Sequence, residues 1–283
     1  MAARVPAQLF IVGSALVQYI GAAIAVGLFA AMSPASVAWW RVTVAAVVMA
    51  AWRRPWREGL GWPDLWRSAL FGLVLASMNI SFYEAISRLP LGVAVSLEFL
   101  GPVGVAVVRG RGVAPRVAAV LALAGVVSIG GLGLDVGAPR VGVGIAWILA
   151  AAALWAGYIV LGQRIAQTRS GVTNLALGCA AGALVFAPVL GPGGAVVFHS
   201  WTLALAVLGV GVLSTVLPYS LEALAMSRLS AATFALFTAL LPATSALVGV
   251  FMLRQVPGGW EFVGLVLISV AVWVASRVGS GER

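Results

Sequence analysis

Two apolar runs, RSALFGLVLASMNISFYEAIS at 67–87 and LGVAVSLEFLGPVGVAVVR at 91–109, are separated by only three residues. At 1.5 Å per residue each run makes a helix of about 30 Å, which matches the hydrocarbon core of a bilayer. A three-residue turn between two such helices sends them across the membrane in opposite directions. The pair is therefore predicted to form a transmembrane helical hairpin.

Runs of the same kind cover the rest of the chain. Of its 283 residues, 62% are hydrophobic and 9% are charged, whereas a soluble domain carries roughly 25% charged residues. The runs continue to residue 276, so a single signal peptide does not account for them. The sequence predicts an all-α integral membrane protein with ten transmembrane helices. The predicted spans are 8–29, 35–52, 67–87, 91–109, 115–133, 142–163, 174–190, 201–226, 231–253 and 259–276.

All 17 basic residues are arginine, and the net charge is +9. In a soluble protein this charge would indicate a nucleic-acid partner, but in a membrane protein basic residues accumulate in cytoplasmic loops. With the N-terminus in the cytoplasm, thirteen arginines lie on the cytoplasmic side, three lie outside, and Arg41 lies within a span. We therefore expect a bilayer rather than nucleic acid as the partner, and a multi-pass membrane protein with both termini cytoplasmic. The absence of lysine indicates a GC-rich bacterial genome, and the expected location is then a bacterial plasma (inner) membrane.

A short internal repeat relates the two halves of the chain. The sequence AISRL at 85–89 recurs as AMSRL at 225–229, and with the same offset of 140 Pro102 falls on Pro242. Five spans separate equivalent positions, and because five is odd the two halves must have opposite orientations. This is the inverted repeat of many secondary transporters. The two predicted five-helix repeats are residues 1–138 and residues 139–283.

Charged side chains within the predicted spans are the main candidates for a functional site, because each costs roughly 2.5–3.5 kcal/mol on insertion scales. Arg41 and Glu98 each lie about 10 Å from the outer end of their spans. At that depth they can pair, or hold a zwitterionic ligand between them. Alternatively, Arg41 extends to the outer interface beside Trp39 and Trp40. Glu222 lies near the inner end of the eighth span, either in a cavity or at the headgroups.

Polar, aromatic and proline residues complete the set of candidates. Each polar or aromatic side chain can hydrogen-bond a substrate or a neighbouring helix, and each proline can kink its helix. Glu84 is close to the end of its span and is expected to be interfacial. The pair Gly178 and Gly182 fits close helix packing. The lining candidates are Gln18, Tyr19, Asn79, Tyr83, Trp155, Tyr158 and Tyr219, and the helix-kink candidates are Pro102, Pro218 and Pro242.

Hydrolytic and metal-dependent chemistry lack their residues in this sequence. There is one cysteine, Cys179, and one histidine, His199, with no His-Glu-x-x-His, no Gly-x-Ser-x-Gly and no aspartate within a predicted span. No lysine is present to bind retinal as a Schiff base. We therefore expect no enzymatic activity, no metal site and no cofactor.

Three segments carry a resemblance to a known family: NISFYEAISRLPLGVAVSLEFLGP at 79–102, LSTVLPYSLE at 213–222 and LWAGYIVLGQ at 154–163. Together they resemble the drug/metabolite transporter (DMT) superfamily, EamA family, and within it most closely the bacterial threonine/homoserine exporters. Gln18 and Arg41 also match positions at which such exporters carry these residues. The resemblance covers nearly the whole chain. It implies ten spans in two inverted halves and efflux driven by an ion gradient without ATP.

The resemblance also implies a central cavity that contains Glu98 and Arg41. The second half departs from the family, because Leu241-Pro242 and Arg254-Gln255 stand where a Glu-Pro pair and a Gly-Glu pair are usual. A role in coupling therefore falls on Glu98 and Glu222.

We accordingly expect a secondary active transporter that exports threonine, homoserine or a related small amino acid or metabolite, with protons as the coupling ion. Arg41 would hold the substrate carboxylate, since a guanidinium group offers paired donors. Export of another small metabolite or drug, or a passive channel, are the alternatives that the sequence leaves open. The sequence indicates no oligomeric state.

Overall fold

The computed structural model describes residues 7–57, 59, 61–109, 112–129, 134, 137–165, 171–226 and 240–278. Over these residues the chain is almost entirely helical and forms no β-strand. A π-helical turn, Val212–Val216, joins α9 to α10, and short 3-10 helices follow α2 (Pro55–Arg57) and α8 (Ala195–His199). The α-helices are α1 Ala7–Leu28, α2 Pro34–Arg53, α3 Trp62–Ile86, α4 Leu91–Glu98, α5 Leu100–Arg109, α6 Val113–Val127, α7 Pro139–Ile165, α8 Gly171–Gly194, α9 Trp201–Gly211, α10 Leu217–Met226, α11 Leu241–Leu253 and α12 Gly259–Val278.

The described helices form ten apolar segments at the places where the sequence predicts ten spans. Seven are long and apolar enough to cross a membrane: α1, α2, α3, α4 with α5, α7, α8 with its 3-10 extension, and α9 with α10. The other three, α6, α11 and the apolar part of α12, have 10–17 residues. The predicted ninth span, 231–253, is described only from residue 240, and the predicted fifth span, 115–133, only to residue 129.

The start of α3 differs from the prediction. The apolar run suggests residue 67, but the helix begins at Trp62. Gly61 is the N-cap, its N–H donates to the Asp64 carboxylate at 3.3 Å, and Pro63 occupies the first turn. An acid and a proline in the first turn favour a helix start, so this capping signal extends the helix beyond its apolar part.

Two prolines lie next to interruptions of their helices. In a regular helix, the Glu98 carbonyl would accept the N–H of residue 102, but Pro102 has none. The helix accordingly ends at Glu98, passes through a turn at Phe99 and resumes at Leu100. Pro218 follows the π-helical turn. Pro242 differs, because it lies in the first turn of α11 and not in the interior of the helix, where a proline would interrupt the hydrogen bonds.

Close packing between α3 and α8 depends on glycine. A Cβ atom added to Gly72 would collide with the Gly178 carbonyl oxygen, and one added to Gly182 would lie 2.8 Å from the Gly72 carbonyl oxygen. The predicted close helix contact at Gly178 and Gly182 is thus confirmed. Elsewhere α2 packs on α8, α3 on α7, α6 on α12, and α1 on α9, α10 and α11.

Large apolar side chains cover the outside of the helices, as a lipid-facing surface requires. Four tryptophans are exposed where α2 ends and α3 begins, namely Trp52, Trp56, Trp62 and Trp66. Tryptophan is enriched at the boundary between bilayer and water. This end of the bundle therefore has the composition of a membrane interface.

Candidate functional site

Arg41 is a buried cation in the first half of α2, with a relative exposure of 7%. Its Nε donates to Thr215 Oγ1 at 2.9 Å, and a terminal nitrogen donates to the Ser214 carbonyl oxygen at 2.7 Å. The side chain therefore points into the bundle. The alternative in which it extends to the outer interface is not observed. Trp39 and Trp40 instead donate to backbone carbonyls of α8 at 2.8 and 2.9 Å.

The Ser214 carbonyl is free to bind Arg41 because of Pro218. Four residues separate them, so Pro218 occupies the position whose N–H would bond to this oxygen in an α-helix. The backbone widens into the π-helical turn, in which the Leu217 N–H donates to the Val212 carbonyl. A proline in the helix thus supplies a buried acceptor for a buried cation.

Tyr83 on α3 completes the surroundings of the guanidinium group. The Arg41 Cζ atom lies 5.6 Å from the centre of the Tyr83 ring, which is within the range of a cation–π interaction. Tyr83 is completely buried, and its hydroxyl has no hydrogen-bond partner among the residues that the structure describes. Buried hydroxyls almost always have a partner. The Tyr83 hydroxyl therefore marks a place where a ligand or a water molecule can bind.

Glu98 is the last residue of α4 and is partly buried. Its charge interacts with that of Arg41. Within the described ranges, however, neither a hydrogen bond nor an ion pair joins the two side chains. The direct pair, which is one of the two arrangements that the sequence leaves open, is therefore not formed among the described residues.

Glu222 on α10 is partly buried and is bound by a residue that the sequence analysis missed. The Ser14 hydroxyl on α1 donates to Glu222 Oε1 at 2.9 Å. Tyr19, five residues further along α1, is buried and interacts electrostatically with Glu98, Glu222 and Arg41. Tyr19 is thus within electrostatic range of all three charged candidates.

Aromatic side chains extend this cluster towards α7. Trp155 contacts Phe99 edge to face, with ring centres 4.8 Å apart, next to the break after Glu98. Tyr158 stacks on Phe71 at 4.7 Å and forms a side-chain hydrogen bond with Tyr219. Tyr158 and Tyr219 both interact electrostatically with Glu222.

The amide candidates make backbone contacts. Asn79 Nδ2 donates to the Leu75 carbonyl of its own helix at 2.8 Å, so this part of the side chain is used within α3. The backbone carbonyl oxygen of Gln18 accepts a hydrogen bond from the Ser214 hydroxyl at 3.4 Å. These contacts give Asn79 and Gln18 a role in helix structure and packing.

Glu84 lies outside the cluster, in agreement with its expected interfacial place. Its carboxylate forms an ion pair with Arg88 at 2.6 Å and accepts the Ala35 N–H at 3.2 Å. The second contact satisfies a free N–H group at the start of α2, where a negative charge is favourable. Glu84 therefore stabilises the junction of α2 and α3.

A separate cavity of about 520 Å³ lies between α11 and α12. Its lining is almost wholly apolar and includes the exposed residues Leu247, Phe262 and Val266, but none of the candidate residues above. An apolar groove on the outside of a membrane bundle fits lipid chains. Without convergent polar groups it has no feature of a polar substrate site.

Three residues of the cluster were not identified from the sequence: Ser14, Ser214 and Thr215. Pro218 carried a usable signal for Ser214, because the carbonyl that a proline leaves free is always four residues earlier. Ser14 carried none, because a serine in an apolar helix usually bonds to its own backbone. Across the described part of the chain, no group of three His, Cys, Asp or Glu side chains could hold a metal ion.

Ten apolar helical segments around a buried cluster of one arginine, two glutamates and several tyrosines define a multi-pass membrane transporter. A model of the EamA-like transporter family matches residues 142–277. The threonine/homoserine exporter RhtA of Escherichia coli (strain K12) is 34% identical over 276 residues, which cover 97% of this chain and 90% of that protein. The chain therefore belongs to the EamA-like transporter family.

A second relative agrees with this assignment, and a solved structure agrees with the fold. The threonine/homoserine exporter RhtA of Salmonella typhimurium (strain LT2) is 33% identical over 260 residues, covering 92% of this chain and 86% of that protein. A protein of known crystal structure has the same fold, with a TM-score of 0.61 and 23% identity over 99% of this chain and 100% of that one. Membership of a transporter family favours transport over the membrane-enzyme alternative.

Proposed function

We propose that the protein exports a small amino acid of the threonine or homoserine kind, or a related metabolite. The relatives' names support this substrate class. The observation that carries the proposal is Arg41, which is buried and held on one side only. Two of its five N–H donors bond to Ser214 and Thr215. The other three have no acceptor among the described residues and can bind a substrate carboxylate.

The other end of the amino acid goes to Glu98 in this proposal. A zwitterion presents an ammonium group as well as a carboxylate, and the Glu98 carboxylate lacks a partner in the described ranges. The Tyr83 hydroxyl, which has no partner among the described residues, adds a hydrogen bond to the carboxylate side. The remaining candidates, Gln18, Asn79, Trp155, Tyr158 and Tyr219, are assigned to the walls of the same path.

The architecture that we propose for alternating access is a pair of inverted five-helix repeats, residues 1–138 and 139–283. Exchange of the two halves maps α1 on α7, α2 on α8, and α3 on α9 with α10. Helix packing supports the exchange. The contact of α3 with α7 corresponds to that of α10 with α1, and the contact of α3 with α8 corresponds to that of α9 with α2. Likewise α5 packs on α7 as α11 packs on α1. Inverted repeats of this kind give two states of opposite access.

Protons are the coupling ion that we propose, with Glu98 and Glu222 as the groups that carry them. Burial away from water disfavours the charged form of a carboxyl group, so a membrane carboxyl can load and release a proton as access alternates. The arginine distribution supports a cytoplasmic location for both termini, and protons would then enter from outside as substrate leaves.

Purified protein in proteoliposomes, with labelled threonine and an imposed pH gradient, tests this function. We expect wild-type protein to move threonine against its concentration gradient. Glu98→Gln and Glu222→Gln are expected to lose this driven flux. Glu84→Gln is the matched control, because Glu84 is bound outside the cluster. Flux that never exceeds equilibration would indicate a channel, and no threonine flux in any variant would remove the amino-acid assignment.

A further inference from the structure

The Ser14 hydroxyl lies between two acceptors on α10. It is 2.9 Å from Glu222 Oε1 and 3.3 Å from the Pro218 carbonyl oxygen, and Ser14 is completely buried. A hydroxyl has one proton to donate and lone pairs with which to accept. Ser14 can therefore give a full hydrogen bond to only one of these oxygens at a time.

The protonation state of Glu222 decides which one. A carboxylate only accepts, so the charged form of Glu222 takes the Ser14 proton. When Glu222 binds a proton, its own O–H can donate to Ser14 Oγ. The Ser14 proton then turns to the Pro218 carbonyl. Both arrangements satisfy the same groups, and they differ only by the proton on Glu222 and by the direction of the Ser14 hydroxyl.

The same face of α1 touches the segment that holds Arg41. A Cβ atom added to Gly21 would collide with Ser214 Oγ, and the Gln18 carbonyl accepts the Ser214 hydroxyl at 3.4 Å. Ser14, Gln18 and Gly21 are spaced by four and three residues, which places them on one side of the helix. A change in how Ser14 bonds to α10 therefore acts on the turn whose Ser214 carbonyl binds Arg41.

We propose that Ser14 is a positioning residue that transmits the protonation of Glu222, through the contact of α1 with the π-helical turn, to the Ser214 carbonyl that holds Arg41. This inference rests on the proposed function, in which Glu222 carries a proton. Among the described residues, the titratable side chains that interact with Glu222 are Tyr19 on α1, Tyr158 on α7 and Tyr219 on α10. Free tyrosine titrates near pH 10, so these three are neutral over the range of the test.

Hydrogen–deuterium exchange of the full chain in lipid nanodiscs at about pH 5 and about pH 8 tests the inference without any substrate. Once intrinsic exchange rates are corrected for pH, we expect wild-type protein to show a pH-dependent difference at the amides of 212–217. Ser14→Ala and Glu222→Gln should lose it. Ser128→Ala is the matched control and should keep the pH-dependent difference. The Ser128 hydroxyl also links two helices, because it donates to the Trp260 carbonyl at 2.7 Å, but it binds no acid among the described residues.

A difference that persists in Ser14→Ala would overturn the proposal, and so would its absence in wild-type protein. If Ser14→Ala does not fold, Glu222→Gln decides alone, because a difference that persists there shows that Glu222 is not its source. In one further outcome the protein fails to transport threonine and still shows an exchange difference that depends on Ser14. That result would refute the proposed substrate and leave this inference standing.

Discussion

Replacing Pro218 with alanine tests how the Arg41 site is held together. Alanine brings an N–H group that can bond to the Ser214 carbonyl four residues earlier, in competition with the Arg41 nitrogen that is now 2.7 Å away. A hydrogen bond to a charged group contributes about 1.5–3 kcal/mol, and about 1.4 kcal/mol corresponds to tenfold in affinity. We therefore expect the apparent affinity for threonine to fall about tenfold or more in Pro218→Ala.

Stability should change much less than affinity. A proline inside a helix costs about 3 kcal/mol relative to alanine. Pro218 is buried, and the loss of its two extra methylene groups costs ~0.8 kcal/mol each. The net gain of about 1.4 kcal/mol is offset by the loss of the charged hydrogen bond from Arg41, so Tm should change by no more than a few degrees.

Thermal unfolding in detergent and the KM for labelled threonine in proteoliposomes measure the two effects on the same variant. Pro188→Ala is the matched control, because Pro188 also lies inside a helix but is exposed on α8. The carbonyl it leaves free belongs to Leu184, which forms no hydrogen bond with a candidate residue in the described part of the chain. An unchanged KM in a folded Pro218→Ala variant would refute the reasoning that the freed carbonyl positions Arg41.

Three other variants, together with Gly142→Ala as a control, separate binding from stability. Tyr83→Phe should leave Tm unchanged, because its hydroxyl has no described partner to lose. It should raise the KM for threonine about tenfold, because the proposed function gives that hydroxyl a hydrogen bond to substrate. An unchanged KM would exclude the Tyr83 hydroxyl from substrate binding. Gly72→Ala should lower the free energy of unfolding by about 1–3 kcal/mol, since the new Cβ meets the Gly178 backbone. Gly142→Ala, with nothing within 4 Å of the added atom, should not lower it in the same thermal assay. Glu84→Gln should reduce stability by at most about 1 kcal/mol and leave threonine flux intact, whereas a loss of flux would place Glu84 in the transport path.

The sequence was sufficient for the helices and for the identity of the charged candidates. Apolar runs bounded by Pro, Gly and Arg predicted the segments, and the rarity of charge inside them singled out Arg41, Glu98 and Glu222. Hydropathy alone placed the start of α3 too late, because Pro63 and the Asp64 carboxylate that accepts the Gly61 N–H are local signals that apolar content does not measure. What each charged residue contacts could not be predicted, since Ser14 comes from a helix 208 residues away along the chain.

The pairing of Arg41 with the Ser214 carbonyl explains why two unfavourable features persist at the same depth of the bundle. An arginine in a membrane helix costs roughly 2.5–3.5 kcal/mol, and a backbone carbonyl without a donor in an apolar medium costs a few kcal/mol as well. Each group alone would destabilise the protein, but together each satisfies the other. The cost is offset only while α2 and the π-helical turn stay in contact. A motion that separated them would expose both groups at once, and substrate or water would have to replace the lost partner. In the proposed function, movement of α9 and α10 is therefore linked to occupancy of the Arg41 site, which is the linkage that a transporter needs and a channel does not.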